Sequence, residues 1–168
     1  NASTDGTDDA INMFKEKHKK LQISYEKQNS NLGVSGGRNR AFMLSNGEYI
    51  FTFDDDAIIE DRDFFVKAIQ KLDEDTSICA AAVNIFEPHV NEYLPYSISK
   101  IIEDKNVLSY NGGANFLRKD FFRNRILYPE KLFFGSEELY PSLIAWGKGK
   151  RVAYFDDLEV LHLPSKVN

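Results

Sequence analysis

One cysteine, one tryptophan and five prolines in 168 residues leave several classes of protein out of reach. Cys79 has no partner for an internal disulfide, so the chain is no disulfide scaffold and shows no sign of an oxidising compartment. Set in the apolar run Ile78–Val83, it reads as a core thiol rather than a nucleophile. No apolar run approaches the ~20 residues that a membrane-spanning helix needs, and no signal peptide opens the chain. The expected location is therefore the cytoplasm, with peripheral association at the inner membrane face as the other option. The Asn1-Ala2-Ser3 sequon matters only in a secreted protein. Acidic residues outnumber basic ones, 26 against 21, for a net charge of −5. That excludes a broad basic nucleic-acid surface, and Lys15–Lys20 reads as a solvated helix end. Internal repeats and low-complexity segments are missing too. So are the P-loop and the G-x-G-x-x-G dinucleotide fingerprint.

What is present is an ordinary globular composition, 42% hydrophobic and 28% charged, enough for one domain spanning residues 1–168 with a real core. Asn1–Thr7 reads as a loop with helix-capping residues and no strand before it, so the chain is expected to be cut short at its N-terminus. A helix is expected from Asp8 to about His18, with Ile11 and Phe14 toward the core. Leu21–Tyr25 alternates like a strand. The glycine-rich segment Gly33–Gly37 leads into a short helix over Arg38–Leu44. Residues 48–53 form a buried strand. Asp61 is placed to cap a helix whose Phe65, Ala68, Ile69 and Leu72 form an apolar stripe. Ser77–Phe86 is a second buried strand, and residues 87–106 a surface excursion of the kind that carries partner specificity. Val107–Leu117 is strand-like around Gly112-Gly113, and Arg151–Phe155 and Leu158–Leu161 close the chain as short strands. Strands alternating with helices predict an α/β fold with a mainly parallel sheet.

Asp54-Asp55-Asp56 is the sharpest chemical signal. The triplet follows the buried strand, and clustered carboxylates there are costly unless a positive group meets them. The carboxyl edge of such a sheet is where ligands bind, and a hard divalent cation takes carboxylate oxygens while leaving positions for phosphate. A solvated turn is the bland alternative. An EF-hand loop does not fit, because Ile58 and Ile59 stand where a ligand and a glycine belong. A haloacid-dehalogenase phosphatase lacks its Thr, Ile58 being there instead.

Other segments align with this one in a recognisable order. Asn1–Thr7 matches the end of a D-x-x-S-x-D-G-T element, and Asn31-x-Gly33 with Arg38-Asn39-x-Ala41 an N-x-G…R-N-x-A element. Gly47-Glu48-Tyr49-Ile50 leads into Asp54-x-Asp56. Gly112-Gly113-Ala114, Glu137-Glu138 and Val160-Leu161-His162 follow. Together they resemble the family 2 glycosyltransferases, inverting enzymes with a GT-A fold that use nucleotide sugars.

The resemblance implies the following roles. Asp56 and His162 are expected to hold Mn²⁺ or Mg²⁺, although spacing alone also allows Asp54 as a ligand, and a lone His after an apolar run also suits a structural role. Asp55 is expected at the ribose, with Asp54 in support. Arg38, Asn39, Gly112 and Gly113 complete the donor site. Arg38 could instead form a surface salt bridge, and Asn39 a local cap. Glu138 is the expected general base and Glu137 a positioning acid, against the alternative that both simply complement a helix dipole. Glu stands where the family commonly has Asp. Pro141 predicts that Glu137 and Glu138 lie ahead of a regular helix, on the cleft edge.

The implied reaction moves a sugar from a nucleoside diphosphate, foremost UDP, to a saccharide or lipid-linked acceptor hydroxyl in polysaccharide or glycoconjugate synthesis. The rivals are a sugar-nucleotidyltransferase, a catalytically silent nucleotide-sugar-binding fragment and, further off, a two-carboxylate glycosidase. The family's first strand and its base-contacting Asp would precede Asn1, so weak donor binding and poor turnover are expected of this chain alone.

Overall fold

A computed structural model describes residues 1–94, 104–123 and 127–164. Its helices are α1 (Thr7–Lys17), α2 (Gly33–Leu44), α3 (Phe64–Glu74), the single turn α4 (Lys119–Phe122) and α5 (Leu139–Gly147). Its strands are β1 (Tyr49–Phe53), β2 (Ala57–Ile58), β3 (Ile78–Glu87), β4 (Glu92–Tyr93), β5 (Ala114–Arg118) and β6 (Arg151–His162). They form one sheet in the order β1-β5-β3-β6-β2, with β4 added to the end of β3.

β3 explains why the sheet is central. Its Ala80 and Ala82 pack into one apolar cluster, with Phe42 of α2 and Ala145 of α5. Ala81, Val83 and Ile85 point the other way, into a cluster with Phe64, Ala68 and Leu72 of α3. A strand buried on both faces needs a continuous apolar run, and Ile78–Val83 provides it.

The α/β expectation holds, and β1, β3 and β6 run in one direction. Only β3 and β6 are direct parallel neighbours, however. β5 separates β1 from β3 and runs against both. The two closing strands merge into β6. Its register jumps between Val83↔Phe155 and Asn84↔Glu159, leaving residues 156–158 as a bulge.

Local expectations fail where tertiary contacts override them. Leu21–Tyr25 forms no strand, since a strand needs a ladder partner and no described residue supplies one. α1 buries no residue. Phe14 is half exposed and lies against the His18 ring, while Tyr25 and Lys27 tie the helix down through Asp8. α2 starts at Gly33 rather than Arg38, although glycine disfavours helix. A Cβ on Gly33 would lie 2.4 Å from the Phe133 carbonyl oxygen, so that close approach requires glycine.

In α3 the inward stripe is Phe64, Ala68 and Leu72, leaving Phe65 and Ile69 partly exposed. Asp63 is the cap residue there; Asp61 instead accepts from the Asp63 N–H and pairs with Lys67. Of the 107–117 segment only Ala114 onward is strand, with Asn106 making an isolated bridge to Ala153. Part of the 87–106 excursion, residues 95–103, lies outside the described residues.

Candidate active site

The carboxyl end of β1, one face of α2, the turn before β5 and the segment before α5 enclose a cavity of about 870 Å³. Asp54, Asp55, Arg38, Gly112, Glu137 and Glu138 all line it. Residues separated by as much as a hundred positions therefore share one space, and Arg38 is its hub. One guanidinium nitrogen of Arg38 donates to Glu137 Oε1 at 2.7 Å and the other to Asp54 Oδ1 at 3.0 Å. This is no surface pair. The Arg38 side chain is 16% exposed and that of Glu137 only 4%, so the two charges depend on each other. The second oxygen of Glu137 is buried and has no protein partner.

Glu138 differs from its neighbour. Its Oε1 accepts the Gly112 N–H at 2.8 Å. Burial pushes its carboxyl above the usual carboxylate range, the Glu137 charge adds to the rise, and the Gly112 N–H and Arg38 oppose it. A carboxylate made more basic and facing a cavity suits proton abstraction. α5 begins at Leu139, so both glutamates precede the regular helix. Pro141 occupies its third position, where the missing N–H has no intrahelical acceptor to lose.

The glycine pair permits this crowding. A Cβ on Gly112 would stand 2.2 Å from an Arg38 guanidinium nitrogen and 2.5 Å from Glu138 Oε1. The Gly113 carbonyl accepts the Asp54 N–H at 3.0 Å, joining the turn to the acidic triplet. Asn111 shapes that turn by accepting the Gly113 N–H at 2.8 Å, and the Asn-Gly dipeptide is its only mark in the sequence.

Asn39 lies outside the cavity lining. Its amide nitrogen donates to the Tyr128 carbonyl at 2.8 Å, and its oxygen accepts the Tyr128 N–H at 2.9 Å. Both ends are occupied, and the pair ties α2 to the cavity wall beside Arg38. Beneath that wall the buried Tyr110 and Tyr128 hydroxyls lie 3.3 Å apart. Nothing in the local sequence marks either tyrosine. Phe134 also lines the cavity, at its rim.

Asp56 and His162 lie outside the cavity lining but come together through the sheet. β2 pairs Ala57 with His162, and the Leu163 N–H donates to the Asp56 carbonyl at 2.7 Å. His162 Nε2 approaches Asp56 Oδ1 to 3.5 Å while Nδ1 sits 2.8 Å from Glu87 Oε1.

The chain matches the model of glycosyl transferase family 2 over residues 1–136. It belongs to that family.

Solved structures agree on the fold of this family 2 glycosyltransferase chain. The mannosyltransferase PcManGT from Pyrobaculum calidifontis, in complex with GDP-Man and Mn²⁺, superposes with a TM-score of 0.77 at 19% identity, covering 98% of this chain and 46% of its own. Residues 1–349 of S. aureus TarS in complex with UDP-GlcNAc give a TM-score of 0.71 at 15% identity, covering 99% of this chain and 48% of that fragment. The family 2 chain thus spans less than half the length of either. No curated protein sequence matches it.

Asp56 and His162 bring together two donor types that divalent cations accept. A carboxylate beside an imidazole is a suitable donor set for Mn²⁺, and a second carboxylate on the far ring nitrogen orients such a histidine. Among the described residues no group of three or more His, Cys, Asp or Glu side chains could hold a metal. Asp56 and His162 would thus leave most of the coordination shell to a ligand. Among the same residues no helix is long and apolar enough to cross a membrane.

Proposed function

We propose that this domain transfers a sugar, with inversion, from a nucleoside-diphosphate sugar to an acceptor hydroxyl, with Mn²⁺ or Mg²⁺ as cofactor. The reading rests on one observation: the Asp54–Arg38–Glu137 bridge and the more basic Glu138 face one cavity at the carboxyl end of β1. Family membership and neighbours solved with nucleotide sugars support it.

In this reading Asp56 and His162 hold the cation, which when bound neutralises diphosphate charge as a Lewis acid. Asp55 meets the ribose. Asp54 holds Arg38, whose unused N–H groups are left to face the donor phosphates. The Gly112-Gly113 turn brings backbone close to the donor. Glu138 takes the proton from the acceptor hydroxyl as that oxygen attacks the anomeric carbon and the nucleoside diphosphate leaves from the opposite face. One displacement suffices, so no enzyme nucleophile is required. Glu137, locked to Arg38, positions the guanidinium beneath the reacting groups. A UDP-sugar is the proposed donor, and a saccharide or lipid-linked hydroxyl the proposed acceptor in polysaccharide or glycoconjugate synthesis.

Calorimetry of UDP with the intact chain, with Mn²⁺ and with EDTA, tests the donor half. Wild type and Glu138→Gln should show metal-linked binding, and Asp56→Ala should lose it. Product analysis tests the reaction: sugar nucleotides should be consumed, whereas turnover of a sugar phosphate with a nucleoside triphosphate would instead establish a nucleotidyltransferase. Absence of metal-linked UDP binding in wild type would overturn the reading.

A further inference from the structure

We propose that Phe134 is the stacking platform for the acceptor sugar, an assignment that rests on the glycosyl-transfer reading of the same cavity. Phe134 is 83% exposed, more than any other large apolar side chain described, and it borders a cavity whose mainly apolar wall also carries four carboxylates and Arg38. Exposed apolar residues are common. An exposed ring at the rim of a cavity that also holds Arg38, Glu137 and Glu138 is informative.

The segment that carries the ring is anchored at its base. The Phe133 carbonyl accepts the Val34 N–H at 2.8 Å, and Gly33 lies against the same carbonyl too closely for any side chain. Beyond the ring, Gly135 and Ser136 are both left-handed, with φ of 86° and 62°. That conformation is unfavourable for serine and recurs where function needs it. The left-handed pair turns the chain directly into Glu137 and Glu138, and the Leu139 N–H closes it on the Ser136 carbonyl at 3.3 Å. Ring and base are thus mounted on one short, shaped segment.

The mounting selects the ligand. An acceptor hydroxyl must come within hydrogen-bond reach of Glu138, and the sugar bearing it then lies beside that segment. The donor-facing carboxylates come from the end of β1, a different wall. A pyranose presents C–H groups on one face and hydroxyls at its edge, which suits a flat apolar ring beside hydrogen-bonding carboxylates. The predicted ligand class is a pyranoside with an apolar face.

The test uses the intact chain with methyl β-D-glucopyranoside, methyl β-D-galactopyranoside and methyl α-D-mannopyranoside, read by saturation-transfer NMR, and UDP with Mn²⁺, read by calorimetry. At least one glycoside should bind wild type and Phe134→Tyr through its ring protons. Phe134→Ala should weaken that binding about tenfold, the range of a lost aromatic contact, with UDP affinity unchanged. The side chain is exposed, so this variant folds as wild type does. Weakened UDP binding in Phe134→Ala would assign the ring to the nucleobase and overturn the proposal. Glycoside binding that ignores position 134, or is absent from wild type, would overturn it also. Glycoside binding that depends on Phe134 in a chain unable to bind UDP would support the sugar platform while removing the transferase reading.

Discussion

Replacing Gly112 by alanine tests the central geometry with one methyl group. The added Cβ would stand 2.2 Å from the Arg38 guanidinium and 2.5 Å from Glu138 Oε1. Ordinary contact requires the guanidinium to retreat by about 1 Å. A 2.7 Å bond to Glu137 does not survive such a stretch. Glu137 is buried and its other oxygen already lacks a protein partner. Breaking a buried ion pair costs about 3–5 kcal/mol. Arg38 can swing while keeping Asp54, which lowers the expected loss to roughly 2–3 kcal/mol.

Gly113→Ala is the control, with the same change in intrinsic propensity. Its Cβ would meet Asp54 Oδ2 at 3.1 Å and Asn111 Oδ1 at 3.3 Å, contacts that a few tenths of an ångström relieve, so about 1 kcal/mol or less is expected. Urea midpoints of both variants measure the difference, and Arg38→Ala in each background shows its source. The Gly112→Ala loss should shrink once Arg38 is removed, leaving the part that comes from crowding Glu138 Oε1. Equal losses at the two glycines, or a loss independent of Arg38, would refute the crowding argument.

Glu138→Gln should reduce transfer by about 10²–10⁴-fold while leaving metal-linked UDP binding intact, and it also has a pH signature. Burial raises the Glu138 pKa in the folded state, so between the unfolded and folded values the folded chain binds more protons and stability falls as pH rises. Glu138→Gln should therefore be the more stable protein at pH 7, with the gap closing as acid protonates Glu138 in both states; a gap that widened in acid would contradict this. Asn39→Ala removes both bonds to the Tyr128 backbone and should cost about 2 kcal/mol; a midpoint unchanged from wild type would show that the tie carries no stability. Burial pushes the Cys79 thiol up to about 12, so a disulfide reagent at pH 8 should label it only as fast as the chain unfolds, and rapid labelling of native protein would contradict its buried placement.

The fold was legible wherever burial imposes a local pattern. The apolar run at Ile78–Val83 marked β3, and the α3 stripe was visible with its face turned by one residue, Phe64 inward and Phe65 partly out. A helix face is set by what packs on it, and the partner was not in that window. Leu21–Tyr25 alternates like a strand but has no ladder partner among the described residues, and α1 buries none of its apolar residues. Asn39 stood in the right element beside Arg38, but its partner Tyr128 lies far along the chain.

By itself the sequence determined the chemistry available: a carboxylate triplet after an apolar strand that proves only partly buried, a glycine pair, two glutamates ahead of an apolar helix, and a closing histidine. Those are properties of residue type and near-neighbour order, which burial and backbone sterics convert directly into local structure. Only the tertiary structure decided the surroundings of each residue. It made Glu137 a buried partner of Arg38 and Glu138 a more basic group on the cavity, though the two are chemically identical neighbours. It also brought Asp56 to His162 through β2–β6 pairing. Desolvation and ion pairing depend on what surrounds a group in space, and no local window of sequence contains that.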